Sequence, residues 1–170
     1  MPAPRAVMGR TRAGLLRGAA DAFAATGVRA TTMQAVAAAA GVAKGTLYNH
    51  FRTKDDVVRA LLSAELRRLT EAATGRPPVE ALVLLADEVA DHPVLRTMAV
   101  TDPADLVALL GAGPERWAEV GAALAEVLQT DADGAGTTGR WLLGLVLQPA
   151  DPPARRRQAR RLAAVLPPPG

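Results

Sequence analysis

The stretch "TTMQAVAAAAGVAKGTLYNHFRTK", Thr31–Lys54, decides the fold. Thr31 followed by Gln34 has the spacing of a capping box, and Thr32 is an equally good helix cap. Met33, Val36, Ala37 and Ala40 then form one apolar stripe at helical spacing. Gly41 breaks this helix after about two and a half turns, and Val42 re-enters the core. A second short helix, Ala43 to Phe51, follows at once. Two short helices joined by a tight glycine turn make a helix-turn-helix. The alanine run 37–40 reads as tight helix packing.

The second helix has an unusual wet side. Leu47 and Phe51 lie one turn apart and point inward with Val42, which leaves Lys44, Thr46, Tyr48, Asn49 and His50 along the outer arc. A bland surface helix favours Glu, Lys and Ala there. Gly45 fits a surface that another molecule must approach closely. Tyr48 and His50 can donate to phosphate oxygens, and Lys44, Thr46 and Asn49 can reach base edges or sugars. A core role for Tyr48 is the lesser reading, because Leu47 and Phe51 already define the buried side; His50 can instead cap the helix end. Lys54, in the first turn of the next helix, opposes the helix dipole. A phosphate bound at that helix start offsets the conflict.

Outward from this stretch, alanine and leucine at helical spacing dominate and β-branched runs are short, so the chain reads as all-α. A first helix is predicted over Gly9–Thr26, with Leu16, Ala19 and Phe23 on one face and Gly27 as its stop. Gly14 and Gly18 each weaken it by about 1 kcal/mol relative to alanine, and close helix packing is a use for them. Thr53 and Asp56 start a long fourth helix to about Ala73, which belongs to both halves of the chain. "DHP" at 91–93, "DP" at 102–103 and "GPE" at 113–115 mark further helices, with proline at a first helical position. The last two are predicted at 135–148 and 152–166, before a frayed "PPPG" end.

The net charge of +3 is unevenly spread. Residues 1–60 hold nine Lys/Arg against three Asp, whereas the rest hold eleven basic and fourteen acidic side chains. That asymmetry points to a polyanion partner for the N-terminal part. The chain has no cysteine, and His50 and His92 lie far apart, so neither a disulfide framework nor a metal site is expected. The opening residues lack an apolar leader core, and the longest apolar run, Trp141–Leu147, is too short to span a bilayer. A cytoplasmic protein without membrane contact is the expectation. No phosphate loop, G-x-S-x-G elbow, H-E-x-x-H or carboxylate pair near a histidine argues for an enzyme. Asp131 and Asp133 sit in what reads as a solvated Gly-rich loop, and no cofactor is implied.

The segment "TTMQAVAAAAGVAKGTLYNHFRTKDDV" resembles the DNA-binding segment of the TetR family of transcriptional regulators, and "LLRGAADAFAATGV" sits where that family places its first helix. The resemblance covers about residues 10–60. It implies an N-terminal three-helix helix-turn-helix DNA-binding domain, residues 1–53, and a C-terminal helical ligand-binding and dimerisation domain, residues 54–170, with about nine helices in all. It further implies a homodimer on double-stranded DNA. The implied contacts are Thr32 at the start of helix two, Lys44, Gly45, Thr46 and Tyr48 on the recognition helix, and His50 and Lys54 on phosphates. Ala43 stands where the family often has serine, and Asn49 occupies a variable position that helps set operator sequence.

In the C-terminal half, the stripe Ala159, Leu162, Ala163 and Leu166, with Trp141, Leu142 and Leu145, is expected to supply half of a four-helix dimer interface. Dimerisation places two recognition helices about one DNA turn, ~34 Å, apart across a pseudo-palindromic operator. The basic run Arg155–Arg161 reads as a solvated face in preference to a second nucleic-acid patch. An effector pocket is expected within helices 54–128, lined by Leu61, Leu85, Val89, Met98 and Trp117, with His92 and Arg96 as polar anchors. The scarcity of aromatics suits a small, apolar effector. A repressor released by such a ligand is the first reading, and a constitutive or partner-controlled DNA-binding regulator whose C-terminal half only dimerises is the second.

Overall fold

The computed structural model describes residues 4–110 and 113–168; residues 1–3 of the opening stretch and 169–170 of the proline tail lie outside these. The described residues form ten helices and no strand. They are α1 (Pro4–Thr26), α2 (Met33–Ala39), α3 (Lys44–His50), α4 (Lys54–Ala73), α5 (Pro78–Ala90), α6 (Pro93–Thr101), α7 (Pro103–Leu110), α8 (Pro114–Leu128), α9 (Ala132–Leu147) and α10 (Pro152–Ala163). This is one more than the about nine that the resemblance implies; the start marked at 102–103 is present, since Asp102 leaves helical backbone (φ −136°, ψ 53°) and Pro103 opens a separate helix. Every helix from α5 to α8, and α10, opens on a proline, whose missing N–H is no loss in a first turn.

Several ends differ from the sequence reading. α1 starts at Pro4, not Gly9. α9 starts at Ala132, because the Asp131 carboxylate accepts the Gly134 N–H at 2.8 Å; Asp131 thus caps the helix and Asp133 sits in its first turn, at the positive end. α10 stops at Ala163, short of Leu166. The tail is not frayed at Pro167, whose carbonyl accepts the Thr130 hydroxyl at 2.7 Å.

The apolar stripe of α1 explains how the first helices pack. Leu15, Leu16, Ala19 and Phe23 are buried against Val36 and Ala37 of α2 and Leu47 of α3. Burying Phe23 alone stabilises the fold by about 3 kcal/mol. α1 crosses α2 so closely that a Cβ on Gly18 would collide with the backbone of Ala40, whereas one on Gly14 would meet only the flexible Arg17 guanidinium. This core does not close at residue 53. Val57, Val58 and Leu61 of α4 enter it, and so do Val94, Leu95 and Met98 of α6. α6 is also tied to the end of α1: the Thr97 hydroxyl donates to the Ala24 carbonyl at 2.7 Å, and the Arg29 N–H donates to Asp102 at 3.4 Å.

Farther along α4, Leu69 and Ala73 belong to a second core, shared with Leu82, Leu85 and Ala86 of α5, Leu124 and Leu128 of α8, and Leu142 and Leu145 of α9. α10 lies on α5. Ala159 is fully buried, and Arg155, the first residue of the basic run, is buried beside it. The Arg155 guanidinium donates to Asp87 of α5 at 2.7 Å, to Asp91 at the cap of that helix at 2.8 Å, and to the Ala150 carbonyl at 3.2 Å. Arg155 is therefore not part of a solvated face, although Arg156, Arg157, Arg160 and Arg161 are exposed. The same packing corrects the dimer expectation for Leu142, Leu145 and Ala159, which close the core of their own chain. Trp141, Leu162, Ala163 and Leu166 are half-buried on its edge, and the Trp141 indole donates to Gln158 at 3.0 Å.

Candidate nucleic-acid interface

The turn between α2 and α3 is built by its glycine. Gly41 has φ +67°, a left-handed conformation that a side chain strains. Its N–H donates to the Ala38 carbonyl at 3.0 Å, and the Val42 N–H donates to the Ala37 carbonyl at 3.0 Å. These two bonds are the Schellman pair that closes a helix end. Of the two caps that the sequence allows, Thr32 is the one used: its hydroxyl accepts the Ala35 N–H at 3.1 Å. Thr31 is buried instead, and donates to the Gly27 carbonyl at 2.6 Å. Ala43 occupies the cap position of α3 without a side-chain bond, an omission that costs about 1 kcal/mol relative to serine.

Leu47 and Phe51 anchor α3 from below and fix its rotation. Thr32, Ala43, Lys44, Gly45, Tyr48 and Asn49 are then exposed together, with Thr46 and His50 half-buried at the margins. Tyr48 is 42% exposed, unusual for a large ring, and the Lys44 ammonium lies 5.7 Å from its centroid. A Cβ on Gly45 would meet nothing within 4 Å, so the backbone of α3 is open to close approach from outside. Arg12 stacks its guanidinium over the Phe51 ring at 5.2 Å, which brings another cation to this end of the head. The surface presents donors and cations around an open backbone, chemistry suited to phosphates and base edges.

Lys54 departs from its expected role. Its ammonium donates to the carbonyls of Val28, Arg29 and Thr31 at 2.6, 2.9 and 3.0 Å. All three donors are thereby engaged in closing the α1–α2 turn, and the conflict with the dipole of α4 is relieved by carbonyl oxygens instead of a phosphate. The start of α4 is a full capping box: Thr53 accepts the Asp56 N–H at 3.1 Å, and Asp56 accepts the Thr53 N–H at 3.0 Å. The side-chain bond from Arg59, then those from Thr53, hold the Asp56 carboxyl below the usual range.

A cavity of about 170 Å³ lies between α4, α5, α8 and α9. Of the residues expected at an effector pocket, Leu85, Val89 and Trp117 line this cavity, together with Leu62, Leu66, Leu69, Val120, Leu124, Leu142 and Val146. Gly139 makes room for the indole, since a Cβ there would lie 3.0 Å from Trp117. Four expected lining residues are elsewhere. Leu61 and Met98 are packed in the core beneath α1. His92 caps α6, its Nδ1 accepting the Leu95 N–H at 3.4 Å. Arg96 is exposed, 3.9 Å from Asp91. Burial pushes the His92 pKa below its usual value, a shift that Glu65, 3.8 Å away, opposes. Sequence reasoning missed Arg68, which bridges Glu65 and Glu88 across α4 and α5; only the i, i+3 spacing of Glu65 and Arg68 was there to suggest it.

Residues 15–61 match the model of the bacterial regulatory proteins of the tetR family. The HTH-type transcriptional repressor KstR2 of Rhodococcus jostii (strain RHA1) is 40% identical over 88 residues, which are 47% of this chain and 43% of that protein. The matches thus span less than half the length of the curated relatives. Among solved structures, the TetR family repressor AlkX from Dietzia sp. strain DQ12-45-1b superposes with a TM-score of 0.65 at 19% identity, over 90% of this chain and 93% of that one. The regulator FadR from Bacillus subtilis, in complex with stearoyl-CoA, gives 0.58 at 17% identity, over 89% and 97%. Among the described residues no helix is long and apolar enough to cross a membrane. Over residues 15–61 the chain matches the tetR family of bacterial regulatory proteins, and as a whole it shares the fold of solved members of that family.

Proposed function

We propose that the protein is a DNA-binding transcriptional regulator, a homodimeric repressor released from a pseudo-palindromic operator by a small apolar ligand. The observation that carries this reading is the outer face of α3, where Lys44, Gly45, Tyr48 and Asn49 stand exposed over a rigid base of Leu47 and Phe51. Thr32, Thr46 and His50 flank that face, and Ala43 forms its apolar edge. The names of the relatives agree, since KstR2 and AlkX are both called repressors.

The apolar cavity favours a ligand-controlled regulator over a constitutive one. The stearoyl chain in FadR and the n-alkane context of AlkX are aliphatic, and this lining is mostly Leu and Val beside Trp117. α4 carries the signal in this reading, because its first turns are packed with α1 and its last turns with α5. A ligand that binds better when the two heads are mis-spaced lowers operator affinity by shifting the population. The dimer surface is the outward face of α9, where Thr137, Arg140, Gly144 and Leu147 are exposed, joined by Leu162 and Ala163 at the end of α10 and by Leu166 just beyond it. These two helices then meet their copies in the partner.

Selection of bound sequences from a random DNA library tests the reading. The expected product is an inverted repeat whose half-sites are centred about one DNA turn, ~34 Å, apart. Enrichment of unrelated sequences, or of a single half-site, contradicts it.

A further inference from the structure

A cleft of about 460 Å³ lies where the DNA-binding head meets the body. Its walls carry Arg12 of α1, His50 at the end of α3, Asp56, Arg59 and Arg67 of α4, and Arg116 in the first turn of α8. Guanidinium groups thus surround a single carboxylate. Both oxygens of that carboxylate are engaged, one by Arg59 at 2.6 Å and the other by the Thr53 N–H at 3.0 Å. Arg12, Arg67 and Arg116 have no carboxylate within ion-pair distance among the described residues. The chain is not short of acids, with 17 Asp and Glu against 20 Lys and Arg, and the neighbouring Arg68 meets both Glu65 and Glu88. Unpaired cations from three different helices therefore converge on one concave space. Arg12 is held there by the Phe51 ring, 5.2 Å from its guanidinium, a contact that uses none of its hydrogen-bond donors.

We propose that this cleft is a site for an oligophosphate anion, held between Arg12 on the head and Arg67 and Arg116 toward the body. Guanidinium forks match phosphate oxygens in pairs. Linked phosphates suit the site because its charges are spread along α4, with Asp56 and Arg67 about 16 Å apart along the helix axis. A single phosphate reaches only part of that run. The same chemistry is present in DNA backbone, but α4 leads from the core beneath α1 to the second core among α5, α8 and α9. The cleft therefore climbs from the end of α3 into the body, which favours a free anion. Once bound, the anion ties α1 to α8 and places negative charge beside His50, at the margin of the face that reads DNA. It thereby weakens operator binding, and by reciprocity the operator weakens anion binding. That consequence rests on the regulatory reading above, whereas binding of the anion does not.

Calorimetry of the full chain at fixed ionic strength tests the site, with tripolyphosphate, orthophosphate and the tricarboxylate tricarballylate as probes. Binding to the selected operator is measured on the same samples. Tripolyphosphate is expected to bind about tenfold more tightly than either other probe, the size of one or two charge-assisted hydrogen bonds. Arg116→Gln should remove that preference and Arg116→Lys should keep most of it. Arg156→Gln, which neutralises an exposed arginine outside the cleft, should leave it intact. Equal binding of the three probes overturns the proposal. So does a preference that survives Arg116→Gln, or one lost equally in Arg156→Gln, which reduces it to general surface charge. Weaker operator binding by Arg67→Gln and Arg116→Gln without any tripolyphosphate, together with a smaller salt slope, also overturns it and makes the cleft a flank for DNA backbone. Tripolyphosphate should weaken operator binding by wild type and not by Arg116→Gln; inhibition that persists in the variant overturns the regulatory link and assigns it to competition at α3. Absence of tripolyphosphate binding in a protein that still selects an operator sinks the site alone. Tripolyphosphate binding by a protein without operator preference sinks the regulator reading alone.

Discussion

At Gly18 helix propensity and packing make opposite demands. In an isolated helix, alanine there stabilises by about 1 kcal/mol. In this fold the added methyl collides with the backbone of Ala40, which cannot swing aside as a side chain can. We therefore expect Gly18→Ala to destabilise the protein by about 1–3 kcal/mol, read as a lower urea midpoint. Gly14→Ala, whose methyl meets only the end of Arg17, should be neutral or stabilising. Equal effects at the two positions would remove the close α1–α2 crossing from the account. Lys54 gives a second residue-scale prediction. With its ammonium held by three carbonyls, Lys54→Met should lower stability yet leave the salt dependence of DNA binding unchanged. A phosphate contact predicts a slope smaller by about one, so the slope decides.

At the scale of elements, helix starts are the most legible feature of this sequence. Thr53 with Asp56, Thr32, and the prolines opening α6, α7 and α8 all act through partners within four residues, so spacing alone reveals them. Residues whose partners are distant were misread. Lys54 bonds carbonyls 23–26 residues upstream, Met98 joins the core of α1, and Arg155 meets carboxylates 64–68 residues away. Nothing in their local pattern separates such residues from a phosphate ligand, a pocket wall or a solvated face. The start of α6 carries a prediction of its own. Neutral His92 accepts the Leu95 N–H, and burial holds its pKa below the ordinary 6.5, with Glu65 opposing. The folded state thus binds this proton less readily than the unfolded chain. The stability contributed by neutral His92 is present above about pH 6.5 and is lost as pH falls through the lower, folded value. His92→Asn, which can still cap, should flatten that loss in urea midpoints recorded between pH 5 and 8. An unchanged pH profile assigns the loss to other groups.

For the whole molecule, among the described residues, two apolar cores and the buried cation Arg155 hold the body together. Arg155 joins α10 to α5, so Arg155→Leu leaves Asp87 and Asp91 facing each other without their partner. Because both carboxylates keep some exposure, the expected loss is about 2 kcal/mol, below that of a fully buried pair. Arg156→Ala, on the exposed side of the same helix, should change the urea midpoint by no more than about 0.5 kcal/mol equivalent. The surface expected for dimerisation was the least legible expectation at this scale. An apolar stripe on a last helix reads the same whether it faces a partner or its own chain, and here Leu142, Leu145 and Ala159 face their own.

The central claim is that the outer face of α3 reads DNA, and it is tested most directly by binding of wild type and Tyr48→Ala to the selected operator across a range of salt. The account predicts that wild type binds the operator at least about 10³-fold more tightly than random DNA, with a steep salt slope. Tyr48→Ala, which removes an exposed side chain, should lose most of that preference while keeping its urea midpoint. Wild-type binding that does not distinguish operator from random DNA, or a Tyr48→Ala protein that binds as wild type does, would contradict it.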